Sequence, residues 1–208
     1  EYHFEELDRI IENLASKGIK TILATPSAAR PRWMAEKYPE VRRVNKAGVR
    51  EEYNSRHNHC YTSPVYREKT AAIDRLLAQR YGRNPNVILW HISNELGGEC
   101  HCELCQAAFR QWLKKKYNHD LKALNHAWWS DFWSHTVTDW EQIHSPKLHG
   151  EPDEIMTGLY LDWRNFVTYQ TTDFMKMEVE ALREGGSDIP VTTNMMWTPQ
   201  NIDYHYLK

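Results

Sequence analysis

The chain has 208 residues, 26 Lys and Arg against 28 Asp and Glu, and a pI near 6.6. That is long enough to bury one sizeable core, and the balance lacks the basic footprint that nucleic acid or an anionic membrane would demand. Nine Trp and eleven Tyr are many for this length; they can fill a core or line a flat-ligand site such as one for carbohydrate.

Phe4, Leu7, Ile10, Ile11 and Leu14 recur at helical spacing, and Gly18 supplies a stop. Ile19–Thr25 then reads as a strand ended by Pro26. Residues 26–63 are loop-like, interrupted by Pro31, Pro39 and Gly48, with a short helix around Trp33–Lys37. A loop this long in a compact domain is usually functional. Pro64–Tyr81 is a second helix, closed by Gly82 and an Asn84–Pro85–Asn86 turn. Val87–Ser93 is an apolar run rich in branched residues, the pattern of a parallel strand buried on both faces. A helix near Glu103–Tyr117 and a Trp-rich helical insertion to about Ile143 follow, then a polar linker over Pro146–Pro152. Ile155–Arg183 is a long helix ended by Gly185–Gly186, and Pro190–Met196 is the last clear strand.

Strands separated by helices long enough to cross over imply an α/β chain with a parallel sheet. Three strands do not close a barrel. The pattern fits an arc of a TIM (β/α)8 barrel or part of an open doubly wound sheet, and long strand-to-helix loops bearing polar and aromatic residues favour the barrel. The opening residues, Glu1–Phe4, show no signal-peptide pattern and lead straight into a helix with no preceding strand, as an excised piece of a longer chain would. A cytoplasmic setting, with no membrane or nucleic-acid partner, is the expectation.

The strand over 87–93 runs directly into Asn94–Glu95, followed by Gly97 and Gly98. Packing does not call for a Glu there, and the C-terminal end of a barrel strand is where such folds place their chemistry. Glu95 is therefore a candidate catalytic acid. Asn94 is a candidate for hydrogen-bonding a substrate hydroxyl beside the reacting carbon, a division of labour that glycoside cleavage requires. Trp90 and His91 are expected to make the site partly apolar, which favours a protonated carboxyl.

All four cysteines lie in two strand-following loops: Cys60 in the first, and Cys100, Cys102 and Cys105 in the second. Four thiolates brought together suit tetrahedral structural zinc. Two disulfides or unrelated buried thiols are the alternatives, though three cysteines within six residues pair poorly. His101 or His59 could replace one sulfur. A closed site of this kind leaves no position open for metal catalysis.

These residues carry a resemblance to glycoside hydrolase family 42, the β-galactosidases of a clan of (β/α)8 barrels. The matching segments begin with Leu23–Ser27, Pro31 with Trp33–Met34, Tyr38–Glu40, Arg56–Cys60 and Ser63–Pro64 with Tyr66–Arg67. They continue through Trp90–Glu95, the cysteine cluster, Phe109–Arg110 with Trp112–Leu113, Leu124–Asn125, Phe132–Ser134 and Trp140–Ile143. The resemblance is dense from Lys20 to Pro146 and thinner beyond.

It implies that the acid/base is Glu95, that Arg56 and Asn94 bind substrate, that Trp133 belongs to an aromatic wall at the sugar, and that Cys60, Cys100, Cys102 and Cys105 hold zinc. It also implies that residues 1–208 are a piece of one (β/α)8 catalytic domain, about strands three to five, with an insertion over about 103–145. A homo-oligomeric full-length protein is a separate expectation. The family's nucleophile is a second Glu at the seventh strand, beyond these segments. Ala127-Trp128-Trp129-Ser130 also departs from the family's usual Gly-Thr after the first Trp. The activity so implied is retaining cleavage of terminal β-D-galactosides. The other readings are a zinc-stapled carbohydrate-binding or scaffold domain without catalysis, and another glycosidase of the same clan.

Overall fold

Helix α1 (Glu5–Ala15) forms where the apolar spacing demands it, with Glu5, Glu6 and Asp8 in its first turn, where negative charge meets the positive end of the helix dipole. It stops at Gly18, whose φ of +72° is open to glycine, and the Ile19 amide returns to the Leu14 carbonyl at 3.0 Å. The structure is a computed structural model that describes residues 2–52, 56–146, 156–195 and 202–207. The elements that follow are β1 (Thr21–Ala24), α2 (Arg32–Lys37), α3 (Pro64–Tyr81), β2 (Val87–His91), α4 (Glu103–Lys116), α5 (Leu121–Trp128), α6 (Thr157–Glu184) and β3 (Val191–Thr192). None of the described helices is long and apolar enough to cross a membrane.

The sheet is parallel throughout, in the order β1-β2-β3, as the alternation of strands and helices predicts. Sequence-adjacent strands are thus neighbours, the winding of a barrel arc. Two expectations need correction. The last strand is far shorter than Pro190–Met196: β3 is two residues, and Met196 lies outside the described residues. Nor is the middle strand buried on both faces. Val87 and Trp90 are buried, but Ile88 is 50% exposed. The register explains part of this, because Thr21 pairs with Val87 while Ile22 pairs with Leu89, leaving Ile88 as the extra residue of a bulge. Ile22, beside Leu89, is 56% exposed on the face opposite buried Leu23 and Trp90. Among the described residues only one face of this sheet is packed.

The chain divides into two compact units. One comprises Glu1–Arg30, Arg67–Leu96 and Phe174–Trp197 and contains the sheet. Its core joins Leu23 and Trp90 from the strands and Ile92 just past β2 to Ile11 of α1, Leu77 and Tyr81 of α3, and Leu182 of α6. Close packing there leaves no room for a side chain at Gly185, where a Cβ would meet Ala78 and the Arg75 carbonyl at 2.5 and 2.7 Å.

The other unit comprises Pro31–Tyr66, Gly97–Asp173 and Thr198–Lys208. Its core gathers Phe109, Leu113, Leu124, Trp128, Trp163 and Phe166 around the four cysteines. The loop expected before Pro64 contains α2, two single 3-10 turns and two isolated antiparallel bridges, Arg42 with His59 and Val44 with Arg50. In the insertion, Asp120 caps α5 by accepting from the Lys122 and Ala123 amides. Asp139 and Gln142 form a capping box around the turn at Trp140–Gln142. Most of the expected linker at Pro146–Pro152 lies outside the described residues.

Candidate functional site

In the sheet-bearing unit, β2 ends in a turn that carries Asn94 and Glu95. Both flanking backbones are unusual: Ser93 has φ +53° and Glu95 φ +51°, left-handed values that cost a residue with a Cβ roughly 1–2 kcal/mol each. The turn is pinned from both neighbouring strands. On one side, the Ser93 amide donates to Thr25 Oγ1 at 2.7 Å. On the other, the Ile92 amide donates to the Thr192 carbonyl at 2.7 Å, Thr193 Oγ1 donates to the Ile92 carbonyl at 2.7 Å, and the Glu95 amide donates to Asn194 Oδ1 at 3.1 Å. His91 closes the turn through Nδ1, 2.8 Å from the Ser93 carbonyl oxygen. Asn94 and Glu95 are both half-buried. Trp90, expected beside the acid, is instead fully buried in the core, with its Nε1–H on Ser187 Oγ at 2.8 Å.

Behind the turn lies a buried pair of carboxyls, Asp74 of α3 and Glu178 of α6. Glu178 accepts from Thr25 Oγ1 at 2.6 Å and Ser27 Oγ at 2.7 Å. Among the described residues no protein donor reaches either oxygen of Asp74. Burial, reinforced by the adjacent Glu178 carboxylate, pushes Asp74 up to about 9. Burial also raises Glu178, to about 7, with the two hydroxyls opposing the rise. No sequence signal marks this pair, because its members lie in helices far apart along the chain.

In the second unit the four cysteines converge. Their sulfurs all lie within 4.8 Å of one another, all four side chains are buried, and none forms a disulfide. Cys60 Sγ is 3.7 Å from Cys102 Sγ and 3.5 Å from Cys105 Sγ. Such a group of soft donors can hold a metal ion. Hydrogen bonding among the sulfurs, led by that with Cys100, drives Cys102 down and pushes Cys60 and Cys105 up. The Val44 amide donates to Cys100 Sγ at 3.4 Å and Gln170 Nε2 to Cys105 Sγ at 3.6 Å.

The histidines weighed as substitute ligands are engaged elsewhere. His101 sets Nδ1 2.8 Å from Ser145 Oγ, turns Nε2 to Glu99 at 3.6 Å and stacks on Trp163. His59 stacks on Tyr66 with ring centres 4.5 Å apart. Glu99 is held down to about 2: the adjacent His101 ring and the close donors Lys46 and Trp163 outweigh the cost of burial. Lys46 Nζ is 2.9 Å and Trp163 Nε1 2.7 Å from that carboxylate.

The two cysteine-bearing loops are also tied by a buried arginine absent from the sequence reading. Arg43 donates from Nε to the His59 carbonyl at 2.7 Å and from Nη2 to the Gly97 carbonyl at 2.6 Å. Gly98, at φ +82°, packs so tightly on that guanidinium that a Cβ would collide with it. Gly98 is thus required both by conformation and by close approach.

Two further expected residues belong to this unit. Arg56 is exposed and donates from Nε to His57 Nε2 at 3.0 Å. Trp133 is 62% exposed and forms the end of a ring stack with Phe132 and Trp129, centres 4.9 and 5.3 Å apart. Trp129 and Trp133 both take left-handed backbones, φ +53° and +56°. The turn they build presents flat apolar faces to solvent.

The comparisons with known proteins agree with one another. The family described as Beta-galactosidase, glycoside hydrolase 42, matches residues 1–208. The beta-galactosidase BglY of Alicyclobacillus acidocaldarius is 57% identical over 203 residues, covering 98% of this chain and 29% of that protein. The beta-galactosidase GanA of Bacillus subtilis is 58% identical over 207 residues, covering 99% and 30%. Among solved structures, Gan42B, a GH42 beta-galactosidase from G. stearothermophilus, superposes with a TM-score of 0.94 at 56% identity, over 100% of this chain and 31% of that one. The cold-adapted beta-galactosidase of Rahnella sp. R3 gives 0.94 at 50% identity, over 100% and 30%. The chain therefore spans about 30% of the length of the curated relatives it matches.

Proposed function

Since this chain belongs to glycoside hydrolase family 42, we propose that it forms part of the catalytic (β/α)8 domain of a retaining β-galactosidase, with Glu95 as the acid/base. The observation that carries the reading is the strained Ser93–Glu95 turn: a carboxyl-bearing residue at the C-terminal end of a parallel strand, its backbone pinned by contacts from both sides. In the first step a carboxylate elsewhere in the whole protein attacks the anomeric carbon, and the glycosidic C–O bond breaks. The departing oxygen takes the proton of Glu95. In the second step Glu95, now ionised, removes a proton from water as that water displaces the nucleophile. Asn94 and Arg56 hydrogen-bond sugar hydroxyls, and Trp133 offers its face to the apolar side of a galactose ring.

Cys60, Cys100, Cys102 and Cys105 are the ligands of a structural zinc ion. Support comes from the sulfur spacing: a tetrahedron with Zn–S bonds of about 2.3 Å has edges of about 3.8 Å, and Cys60 Sγ lies 3.5 and 3.7 Å from two of its partners, with all four sulfurs within 4.8 Å. The ion when bound supplies cross-linking and folding free energy, with no open position for substrate. Thiols kept reduced for a metal suit a reducing compartment, and the cytoplasm is the location that fits.

The test is the Glu95→Ala variant of the full-length enzyme. Hydrolysis of aryl β-galactosides should fall by ~100-fold or more, with azide restoring turnover of substrates that carry very good leaving groups. Wild-type turnover by that variant would sink the assignment. Elemental analysis of freshly purified, reduced protein should return about one zinc per chain; none would remove the metal.

A further inference from the structure

We propose that Thr25 and Glu178 are positioning residues, which hold the Ser93–Glu95 turn and with it the acid/base carboxyl in working geometry. This rests on the reading of Glu95 given above. Two left-handed residues within three positions persist only where their surroundings over-determine them. On the β3 side, the anchors are a backbone carbonyl and two side chains at the exposed end of the sheet, Thr193 and Asn194. On the β1 side the Ser93 amide has one acceptor, the hydroxyl of Thr25, which is itself buried.

A threonine hydroxyl carries one proton and can point it either way. Glu178 decides the direction. Its Oε2 lies 2.6 Å from Thr25 Oγ1 and takes that proton, so the hydroxyl lone pair is left facing the Ser93 N–H. Ser27 Oγ, 2.7 Å from Oε1, holds the carboxylate on its other oxygen. Asp74 faces the same carboxylate, and the Arg75 charge opposes the protonation of Asp74. Because Asp74 has no donor of its own and Glu178 has two, Glu178 is the member of the pair that ionises first. The series Glu178, Thr25, Ser93 thus runs without a gap from the helix layer to the residue two before the acid. Neither Thr25 nor Glu178 is assigned a contact with sugar or with the reacting atoms.

The experiment compares kcat/KM of the full-length enzyme on two β-galactosides, one with a poor leaving group (phenol) and one with a very good one (dinitrophenol). Misplacing the acid penalises only the substrate whose leaving oxygen needs a proton. Thr25→Val should lower kcat/KM on the phenyl galactoside by about 10- to 100-fold and leave the dinitrophenyl substrate within about twofold. Thr25→Ser, which restores the hydroxyl, should recover the loss. Equal losses on both substrates, or no loss in a folded variant, would overturn the proposal. If Thr25→Val does not fold, Glu178→Gln takes its place and should show the same split, and a uniform loss there overturns it equally. Glu95→Ala separates the two readings. Wild-type turnover by Glu95→Ala removes the acid/base itself. An acid/base phenotype at Glu95 with no leaving-group split at Thr25 removes only the positioning role.

Discussion

Replacing Asp74 by Asn should make the protein more stable above neutral pH, although it removes a buried ionisable residue. The sign follows from proton counting. An unfolded Asp titrates near 4, whereas the folded side chain, buried beside Glu178, is pushed up to about 9. Between those values the folded state binds the proton and the unfolded state does not, so stability is greatest at the acid end and falls as pH rises. The ceiling is one proton, or about 1.4 kcal/mol per pH unit, and about 2.7 kcal/mol between pH 6 and 8. Relaxation and water entry reduce this, and about 1–2 kcal/mol is the working expectation.

Asn has the same shape and no proton to lose. It forfeits no accepted hydrogen bond, since no protein donor reaches Asp74 among the described residues, and its amide can donate towards Glu178, the carboxyl that faces it. Thermal unfolding of wild type and Asp74→Asn at several values between pH 6 and 8 tests this. The variant should unfold progressively above wild type as pH rises, at about 2–4 °C per kcal/mol for a domain of 150–250 residues. Parallel curves, or a variant destabilised equally at every pH, would refute the assignment of the proton to Asp74.

Two more changes probe the second unit. Cys105→Ser removes one sulfur of four and the contacts from Gln170 and Thr62 with it; metal content should fall well below one per chain, and release to a chelator should quicken by about 10-fold or more. Unchanged stoichiometry and rate would exclude Cys105 as a ligand. Gly98→Ala should cost about 2–4 kcal/mol, combining a left-handed backbone with displacement of the Arg43 guanidinium from the His59 and Gly97 carbonyls. A neutral Gly98→Ala, read by thermal unfolding, would show that the loop relaxes without loss.

How far the sequence could be read depended on the range of the signal. Helix α3 falls on Pro64–Tyr81 as predicted, because proline at its start and glycine after its end punctuate it locally. The cysteine group was legible because three of its members lie within six residues and the fourth follows the neighbouring strand. The middle strand misled in one respect. A continuous apolar run reads as buried on both faces, and neither a bulge at Ile88 nor an uncovered face leaves any mark on that pattern. Trp90 misled for a related reason. Its nearness to Glu95 in sequence placed it at the acid, while strand alternation and the Ser187 hydroxyl turn it into the core.

What the sequence determined by itself was therefore everything written at short range: the alternation of strand and helix, the spacing of thiols, and an Asn–Glu pair at a strand end. Tertiary structure alone decided the contacts that join distant stretches. It set Glu178 against Thr25 across 153 positions and Ser93 against Thr25 across 68, and it placed Arg43 between two cysteine loops. A hydrogen bond between residues so far apart imposes no periodicity and no local composition on either of them. Its donor and acceptor look like ordinary polar residues until folding removes water and leaves each only the other as a partner.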